Sequence, residues 1–217
     1  MKTSLCRLTK CVTLLLSITI ALVACTSFGP KYTSGFAKPE TAHSWRYEYA
    51  GDLWSTLGRQ FDLPGETDNI PAVAYEINWY MHHKPYIRKM AEQSKPYLYF
   101  IYQQVKKRNL PPEVALMPMV ESNFNPFAIN NTSGAAGIWQ MMPGTASGFG
   151  LRVNWWYDGR RDVTASTNAA LDYLVYLGKF FDNNWLLAMA AYDTGEGNVQ
   201  NAIRRNAKAG KSTDFWS

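Results

Sequence analysis

ESNFNPFAINNTSGAAGIWQMMPGTA, residues 121–146, places a carboxylate at the end of an apolar helical pattern and follows it with a glycine-rich loop that carries aromatic side chains. The helix is predicted to begin at Pro111–Glu113, because proline is favoured in a first helical turn. Its apolar stripe then contains Val114 and Met117, at a spacing that puts side chains on one face. Glu121 lies on the same stripe, so its side chain is predicted to face the protein interior.

An inward carboxylate at position 121 has two interpretations. Apolar surroundings disfavour the ionised form and raise the pKa, which suits a general acid that works near neutral pH. The alternative is a buried Glu121 that pairs with an arginine or caps a nearby helix. The segments that follow Glu121 in the chain favour the catalytic interpretation.

The segments that follow Glu121 supply surroundings for such an acid. Ser133–Gly137 consists of small residues and lets a ligand approach the backbone closely. Ile138–Pro143 adds a flat indole, an amide and a thioether, which together suit a sugar with an acetamido group. Later in the chain, Ala190–Val199 contains Tyr192 at helical spacing from apolar residues, and its hydroxyl is predicted to reach the carboxylate of Glu121.

The three segments also carry ordered motifs. They read Glu-Ser-x-Phe-x-Pro-x-Ala at 121–128, Ser-Gly-Ala-Ala-Gly-Ile-Trp-Gln at 133–140 and Ala-Tyr-x-x-Gly-Glu-Gly at 191–197. In this order they resemble the lytic transglycosylase domain of the lysozyme superfamily, in particular its membrane-bound D type, over roughly residues 70–217. The resemblance and the number of helical patterns together predict a mostly α, lysozyme-like single catalytic domain of the goose-type and soluble lytic transglycosylase-like kind.

The resemblance implies an enzyme that cleaves the β-1,4 bond between N-acetylmuramic acid and N-acetylglucosamine in peptidoglycan. It implies a 1,6-anhydromuramoyl product, no cofactor, and Glu121 as the single catalytic side chain, with help from the substrate's acetamido group. By position in the motifs, Ser133, Gln140 and Met142 are expected to line the muramoyl subsite, and Tyr192 is expected to hold Glu121.

One position departs from the family pattern, which has Asn and a small residue after the tyrosine of the third motif, where this chain has Asp193-Thr194. Asp193 near the groove would raise the pKa of Glu121 by charge repulsion, or would act as a base that activates water. The second role would make the protein a hydrolytic muramidase. A tolerated structural substitution is the favoured interpretation, because Asp and Asn both suit turns. A non-catalytic peptidoglycan-binding lipoprotein is the remaining alternative.

The amino terminus predicts the location of the protein. Basic residues precede an uncharged apolar run from Val12 to Ala24 that is short for a membrane span, so residues 1–24 are predicted to be a signal peptide. The run ends in Leu22-Val23-Ala24-Cys25, which resembles a bacterial lipobox and implies lipidation of Cys25. Residues 25–68 are predicted to tether a domain at 69–217 to the periplasmic face of the outer membrane. The expected partners are therefore peptidoglycan strands and, through the anchor, the membrane.

Charge and cysteine content narrow the function classes. Loss of the signal peptide removes Lys2, Arg7 and Lys10 and no acidic residue, which lowers the formal net charge from +5 to +2. Nucleic-acid binding is not expected, since no basic stripe alternates with aromatic residues. No disulfide or metal site is expected, because two of the three cysteines lie in the signal peptide and the adjacent histidines at 82 and 83 point in different directions on a helix.

Two segments carry further expectations. The loop at 151–162 contains Trp155-Trp156-Tyr157, and these aromatic side chains have two interpretations, stacking faces for the glycan or part of the core, of which the core is favoured. At the carboxyl end, Phe215 and Trp216 are expected to lack a helix to pack against, because D-type relatives continue with helical sequence and LysM repeats. Helices are predicted at 71–82, at 84–109 with a break at Pro96, and at 164–182, 184–192 and 195–208.

Overall fold

The computed structural model describes residues 53–63 and 70–217. The described residues are mostly helical, and β pairing among them is limited to isolated bridges, which confirms the predicted mostly α class. The α-helices are α1 (53–58), α2 (Pro71–His82), α3 (Lys84–Ser94), α4 (Leu98–Lys107), α5 (Met117–Ser122), α6 (Pro143–Gly148), α7 (Val163–Phe180), α8 (Trp185–Thr194) and α9 (Glu196–Lys208).

The longest of these helices, α7, packs against α8, and α8 packs against α9. Both α7 and α8 begin at a side-chain cap, because Asp162 accepts a hydrogen bond from the Ala165 amide and Asn184 accepts one from the Leu187 amide. Gly178 permits close contact between the two helices, since a Cβ there would lie 2.6 Å from the Trp185 ring. The buried faces of these helices form the core on which the candidate site rests.

The helix predicted to run from Pro112 is divided in the structure. Pro112–Leu116 forms a 3₁₀ turn, and α5 begins only at Met117. Pro118 has no amide proton and therefore cannot donate the α-helical hydrogen bond to the Val114 carbonyl. That carbonyl accepts from the Met117 amide instead, which is the tighter spacing of a 3₁₀ turn.

The folded unit extends further towards the amino terminus than residue 69. Leu53 and Leu57 of α1 are buried in the core, and the Glu113 carboxylate accepts hydrogen bonds from the amides of Asp62 and Leu63. A single short helix with two buried leucines has too few repeats to be recognised from its period, so this part of the predicted tether was assigned wrongly.

The predicted signal peptide and the predicted lipidation site at Cys25 lie outside the described residues, which begin at residue 53. Within the described ranges, no helix is both long and apolar enough to cross a bilayer.

The aromatic residues of two segments have different outcomes. Trp155 and Trp156 are exposed, so the prediction that they belong to the core was wrong. Phe215 and Trp216 pack edge to face with each other and contact the core.

Candidate active site

Glu121 lies in the last turn of α5, and the chain turns sharply just after it. Asn123 and Phe124 both adopt left-handed backbone conformations, with φ of 54° and 58°. Such conformations are uncommon for residues other than glycine and require tertiary support. Support comes from the Tyr86 hydroxyl, which donates to Asn123 Oδ1 at 2.9 Å, and from the burial of the Phe124 ring. The position of Glu121 is therefore fixed by contacts on its carboxyl-terminal side.

A side-chain hydrogen bond joins the end of α5 to the glycine-rich loop. The Ser122 hydroxyl donates to the Ile138 carbonyl at 2.8 Å. Within the loop, the Gln140 amide group donates to the carbonyls of Ala128 and Gly137. Gly137 has φ of 84°, and a Cβ there would lie 1.7 Å from the Arg160 carbonyl oxygen, so only glycine fits. The loop is thus tightly closed beside the catalytic-acid candidate.

Tyr192 links α8 to the same loop. Its hydroxyl donates to the Trp139 carbonyl at 2.9 Å, while the buried Trp139 indole donates to Thr167 Oγ1 at 2.9 Å. The prediction that this hydroxyl is delivered to the Glu121 carboxylate was therefore wrong about the acceptor. A phenol has one hydroxyl hydrogen, and Tyr192 donates it in the hydrogen bond to the Trp139 carbonyl.

The carboxyl of Glu121 sits in an environment that favours its neutral form. Burial raises its pKa and the nearby charge of Asp193 raises it further, to about 8. No cation or hydrogen-bond donor among the described residues opposes these two effects. The alternative that Glu121 pairs with an arginine therefore finds no support in the described part of the chain. A carboxyl in this state can donate a proton near neutral pH.

Tyr192 lies near enough to Glu121 for the two groups to affect each other. Burial and then the Glu121 charge raise the pKa of the Tyr192 hydroxyl well above its usual value, so it stays protonated. Because the Tyr192 hydroxyl already donates its hydrogen bond to the Trp139 carbonyl, its oxygen can only accept hydrogen bonds from other groups. A hydrogen bond between Glu121 and Tyr192 would then require the carboxyl to be protonated.

The remaining predicted substrate-binding residues lie on the glycine-rich loop and at its end. Ser133 is exposed, and its hydroxyl accepts from the Ala135 amide at 3.3 Å. Met142 is 44% exposed and directly precedes α6. Gln140 uses its amide hydrogens inside the loop, so its side-chain oxygen is the atom left for a ligand. Asp193 is exposed at the end of α8 and acts on Glu121 through its charge.

Residues that the sequence analysis did not assign also shape the site. The Arg160 guanidinium donates to the Gly134 carbonyl at 2.6 Å and to the Met141 carbonyl at 3.3 Å, and it is paired with Asp158 at 2.7 Å. Arg160 thereby holds both ends of the segment predicted to line the muramoyl subsite. The pairing of Arg160 with loop carbonyls has no sequence signal, because the partners are distant in the chain.

A second polar contact lies behind Tyr192. The Tyr173 ring packs on the Tyr192 ring with centroids 5.5 Å apart, and the Tyr173 hydroxyl donates to Glu196 at 3.2 Å. Burial and then the Glu196 carboxylate raise the pKa of Tyr173, so this hydroxyl also stays protonated. The Gly-Glu-Gly part of the third motif therefore supports the tyrosines and not Glu121 directly.

The described residues contain no group of three or more His, Cys, Asp and Glu side chains that could hold a metal ion. His83 stacks on Trp79 with ring centroids 3.9 Å apart, and its Nδ1 is hydrogen-bonded to the Trp79 carbonyl oxygen at 2.6 Å.

Residues 98–215 match the family described as Transglycosylase SLT domain. The chain is 46% identical over 167 residues to the membrane-bound lytic murein transglycosylase D of Escherichia coli (strain K12), which covers 77% of this chain and 36% of that protein. It is 50% identical over 111 residues to a protein of Alteromonas sp. (strain M-1) described provisionally as a tributyltin chloride resistance protein, which covers 51% of this chain and 53% of that relative.

The chain thus spans about a third to a half of the length of these curated relatives. The family match covers more than half of the chain and includes all three motifs around Glu121, Gln140 and Tyr192. The lysozyme-like class predicted from those motifs agrees with this match, and the protein belongs to the transglycosylase SLT domain family.

Proposed function

We propose that the protein is a lytic transglycosylase that cleaves the β-1,4 bond between N-acetylmuramic acid and N-acetylglucosamine in peptidoglycan. The observation that carries the proposal is the raised pKa of Glu121. At about 8, it keeps the carboxyl protonated at neutral pH beside the glycine-rich loop. The similarity to a relative named lytic murein transglycosylase supports the substrate class.

In the proposed reaction Glu121 acts first as an acid and then as a base. Its proton moves to the glycosidic oxygen as the bond to the muramoyl C1 breaks, and the N-acetylglucosamine end leaves as an alcohol. The acetamido oxygen of the muramoyl unit stabilises C1 from the other face. The muramoyl C6 hydroxyl then attacks C1 and gives its proton to the Glu121 carboxylate, which forms the 1,6-anhydro ring and restores the acid.

The neighbouring groups suit this cycle. Burial favours the neutral form of Glu121 at the start of the cycle. The Tyr192 hydroxyl donates its hydrogen bond to the Trp139 carbonyl, so the Tyr192 oxygen is able to accept a hydrogen bond from the protonated Glu121. Burial and then the Asp193 charge keep the pKa of Glu121 high, so the carboxylate formed after the first step is a stronger base for the C6 hydroxyl than an ordinary carboxylate. No second carboxylate is needed as a nucleophile.

A hydrolytic muramidase is the second candidate, because Asp193 carries a charge that acts on Glu121. In that case Asp193 would activate water and the product would carry a reducing end. We further propose that the domain is lipid-anchored at Cys25 on the periplasmic face of the outer membrane and serves in cell-wall remodelling. That proposal depends on the lipobox sequence, with the printed name of the membrane-bound relative as support.

The test is to incubate the full chain, solubilised in mild detergent, with purified peptidoglycan and to analyse the released muropeptides by mass spectrometry. Anhydromuramoyl products that disappear in Glu121→Gln are the expected result. Products heavier by one water, lost in Asp193→Asn, would replace the proposal with the hydrolase. Binding without products from the unaltered chain would leave a non-catalytic peptidoglycan-binding protein.

A further inference from the structure

The loop at 151–162, called here the aromatic loop, exposes two large indole side chains. Trp155 is 95% exposed and Trp156 is 66% exposed. Exposure of adjacent tryptophans is unfavourable in water unless a partner covers them, because each ring carries a large apolar surface. The aromatic loop is therefore a candidate binding surface.

The exposure of the two tryptophans is built into the loop. The Asn154 side chain accepts hydrogen bonds from the amides of Trp156 and Tyr157, at 3.2 and 2.9 Å. The Asn154 amide donates to the Tyr157 carbonyl at 2.8 Å, and an isolated bridge pairs Val153 with Asp158. A tight turn thus presents Trp155 at its tip, so a ligand would meet an ordered ring and little ordering entropy would be lost.

A concave pocket of about 320 Å³ adjoins the exposed Trp156 ring. Its walls combine one cation with aromatic and apolar groups, namely Gly150, Leu151, Arg152, Trp156, Tyr157 and Ala165. The volume lies at the lower end of the range of small-ligand pockets, which suits one sugar ring. Flat aromatic faces bind the apolar faces of sugar rings, and polar groups at the rim bind the hydroxyls.

The cation in this pocket has no acidic partner in the described part of the chain. Arg152 forms no ion pair there, whereas Arg160 of the same loop is paired with Asp158. The carboxylate of Asp162 accepts from the Tyr157 hydroxyl and caps α7. Arg152 is therefore available to a carboxylate of the ligand.

The aromatic loop is fixed to the glycine-rich loop of the candidate active site. Arg160, near its end, donates to the carbonyls of Gly134 and Met141, and its own carbonyl packs against Gly137. At its start, the loop follows α6, and the Leu151 amide donates to the Ala146 carbonyl. A polymer that occupies the glycine-rich loop thus has the aromatic loop as an adjoining surface.

We infer that the aromatic loop is an additional glycan-binding site, in which Trp155 and Trp156 stack on amino-sugar rings and Arg152 binds a carboxylate of the peptides attached to the glycan. The inference rests on the proposed function for the identity of the polymer. An anionic membrane surface is the competing occupant. It is less suited because binding to a flat membrane surface would make no use of the pocket beside Trp156.

The test measures binding of the full chain in mild detergent to soluble peptidoglycan strands, with Glu121→Gln present throughout so that cleavage cannot occur. Adding Trp155→Ala or Trp156→Ala is expected to weaken binding about tenfold each, and Trp155→Phe to restore part of it. Tyr75→Ala in α2 is the matched control, because Tyr75 is 67% exposed and lies outside the aromatic loop. Its binding is expected to equal that of the parent.

Arg152→Gln tests the charge assignment. It is expected to weaken binding of peptide-bearing strands and to leave binding of peptide-free strands unchanged, and equal effects on both would overturn the role of Arg152. Unchanged strand binding by the combined Trp155→Ala, Trp156→Ala variant would overturn the glycan site. If the combined variant loses binding to phosphatidylethanolamine–phosphatidylglycerol vesicles but not to strands, the aromatic loop is a membrane contact and the glycan site is likewise overturned.

The inference and the proposed function fail separately. Product release is measured with the unaltered Glu121, and strand binding with Glu121→Gln. Tryptophan variants that bind weakly in a protein that releases no anhydro product would keep the glycan site and refute the transglycosylase. If those variants bind strands normally and the protein with unaltered Glu121 does release the anhydro product, the glycan site is refuted and the transglycosylase is kept.

Discussion

The hydroxyl of Tyr192 donates a hydrogen bond to the backbone carbonyl of Trp139 at 2.9 Å, and this contact joins α8 to the loop beside Glu121. The two residues belong to different sequence motifs, yet one hydrogen bond fixes their relative position. The contact also means that the Tyr192 oxygen can only accept a hydrogen bond from Glu121, since its hydroxyl already donates to the Trp139 carbonyl.

Tyr192→Phe removes this donor and leaves the Trp139 carbonyl without its partner. We expect a loss of about 1–2 kcal/mol in the free energy of unfolding, measured by urea denaturation. We also expect kcat to fall about tenfold, because the loop is held less firmly beside Glu121. Tyr176→Phe is the control, since its exposed hydroxyl lies 3.5 Å from Glu196 and its loss should have little effect. Equal behaviour of the two variants would count against the role of the contact.

Glu121→Gln is expected to abolish turnover and to stabilise the fold at high pH. The folded-state pKa of about 8 lies above the ordinary value of 4.5, so the folded protein binds a proton that the unfolded chain has lost. The stability of the parent therefore falls as pH rises from 4.5 to about 8, by the order of 2–4 kcal/mol. Glutamine imitates the neutral acid and should remove this fall. Urea denaturation of both proteins at pH 4, 6 and 8.5 measures it, and parallel profiles would refute the raised pKa.

Asp193→Asn addresses the charge that raises the pKa of Glu121. Removing the charge lowers that pKa, so the proton needed for catalysis is lost at lower pH. We expect the alkaline limb of the profile of kcat against pH to move to lower pH, with the anhydro product retained at acidic pH. A profile that does not move would show that the two groups are not coupled, and loss of all product would favour the hydrolase.

Much of the fold could be predicted because the helix signals are local. Pro71 begins α2, a break near Pro96 separates α3 from α4, and α7, α8 and α9 lie within about two residues of their predicted bounds. Glu121 was predicted to be the catalytic acid from helical spacing and from the small residues that follow it. Its raised pKa agrees with the inward position that the spacing predicted.

Of the features that were not predicted, one depends on a contact between distant residues and two depend on local backbone chemistry that the apolar pattern does not report. The acceptor of the Tyr192 hydroxyl is a backbone carbonyl, which carries no residue signature in the sequence. The exposure of Trp155 follows from the Asn154 turn, whereas composition alone favours burial of an indole. Pro118 divided a helix whose apolar spacing appeared continuous.

Gly137→Ala tests the close contact between the glycine-rich loop and the aromatic loop. A Cβ would lie 1.7 Å from the Arg160 carbonyl oxygen at a left-handed φ, so both the backbone and its neighbour must move. We expect a loss of about 3 kcal/mol or more in the free energy of unfolding. Gly144→Ala in α6 is the control, because a Cβ there meets nothing within 4 Å. It should be neutral or stabilising by about 0.5 kcal/mol, and similar losses in both would argue against the contact.

Glu113 provides the last test, because it joins residues 53–63 to the 3₁₀ turn before α5. One carboxyl oxygen accepts from the amides of Asp62 and Leu63 at 2.6 and 2.8 Å, while the other is buried without a hydrogen-bond partner among the residues that the structure describes. Glu113→Ala leaves both amides without an acceptor, and we expect a loss of about 2–4 kcal/mol in the free energy of unfolding.

Burial raises the pKa of Glu113 more than its hydrogen bonds with backbone amides lower it. Its contribution to stability is therefore complete below pH 4.5 and declines as pH rises through the folded-state pKa. Because Glu121 acts in the same direction, the measurement compares Glu121→Gln with the double variant that also carries Glu113→Ala. The difference in unfolding free energy between them should shrink as pH rises above 4.5. A difference that is constant with pH would mean that Glu113 is ionised in both states and holds residues 62 and 63 as a carboxylate.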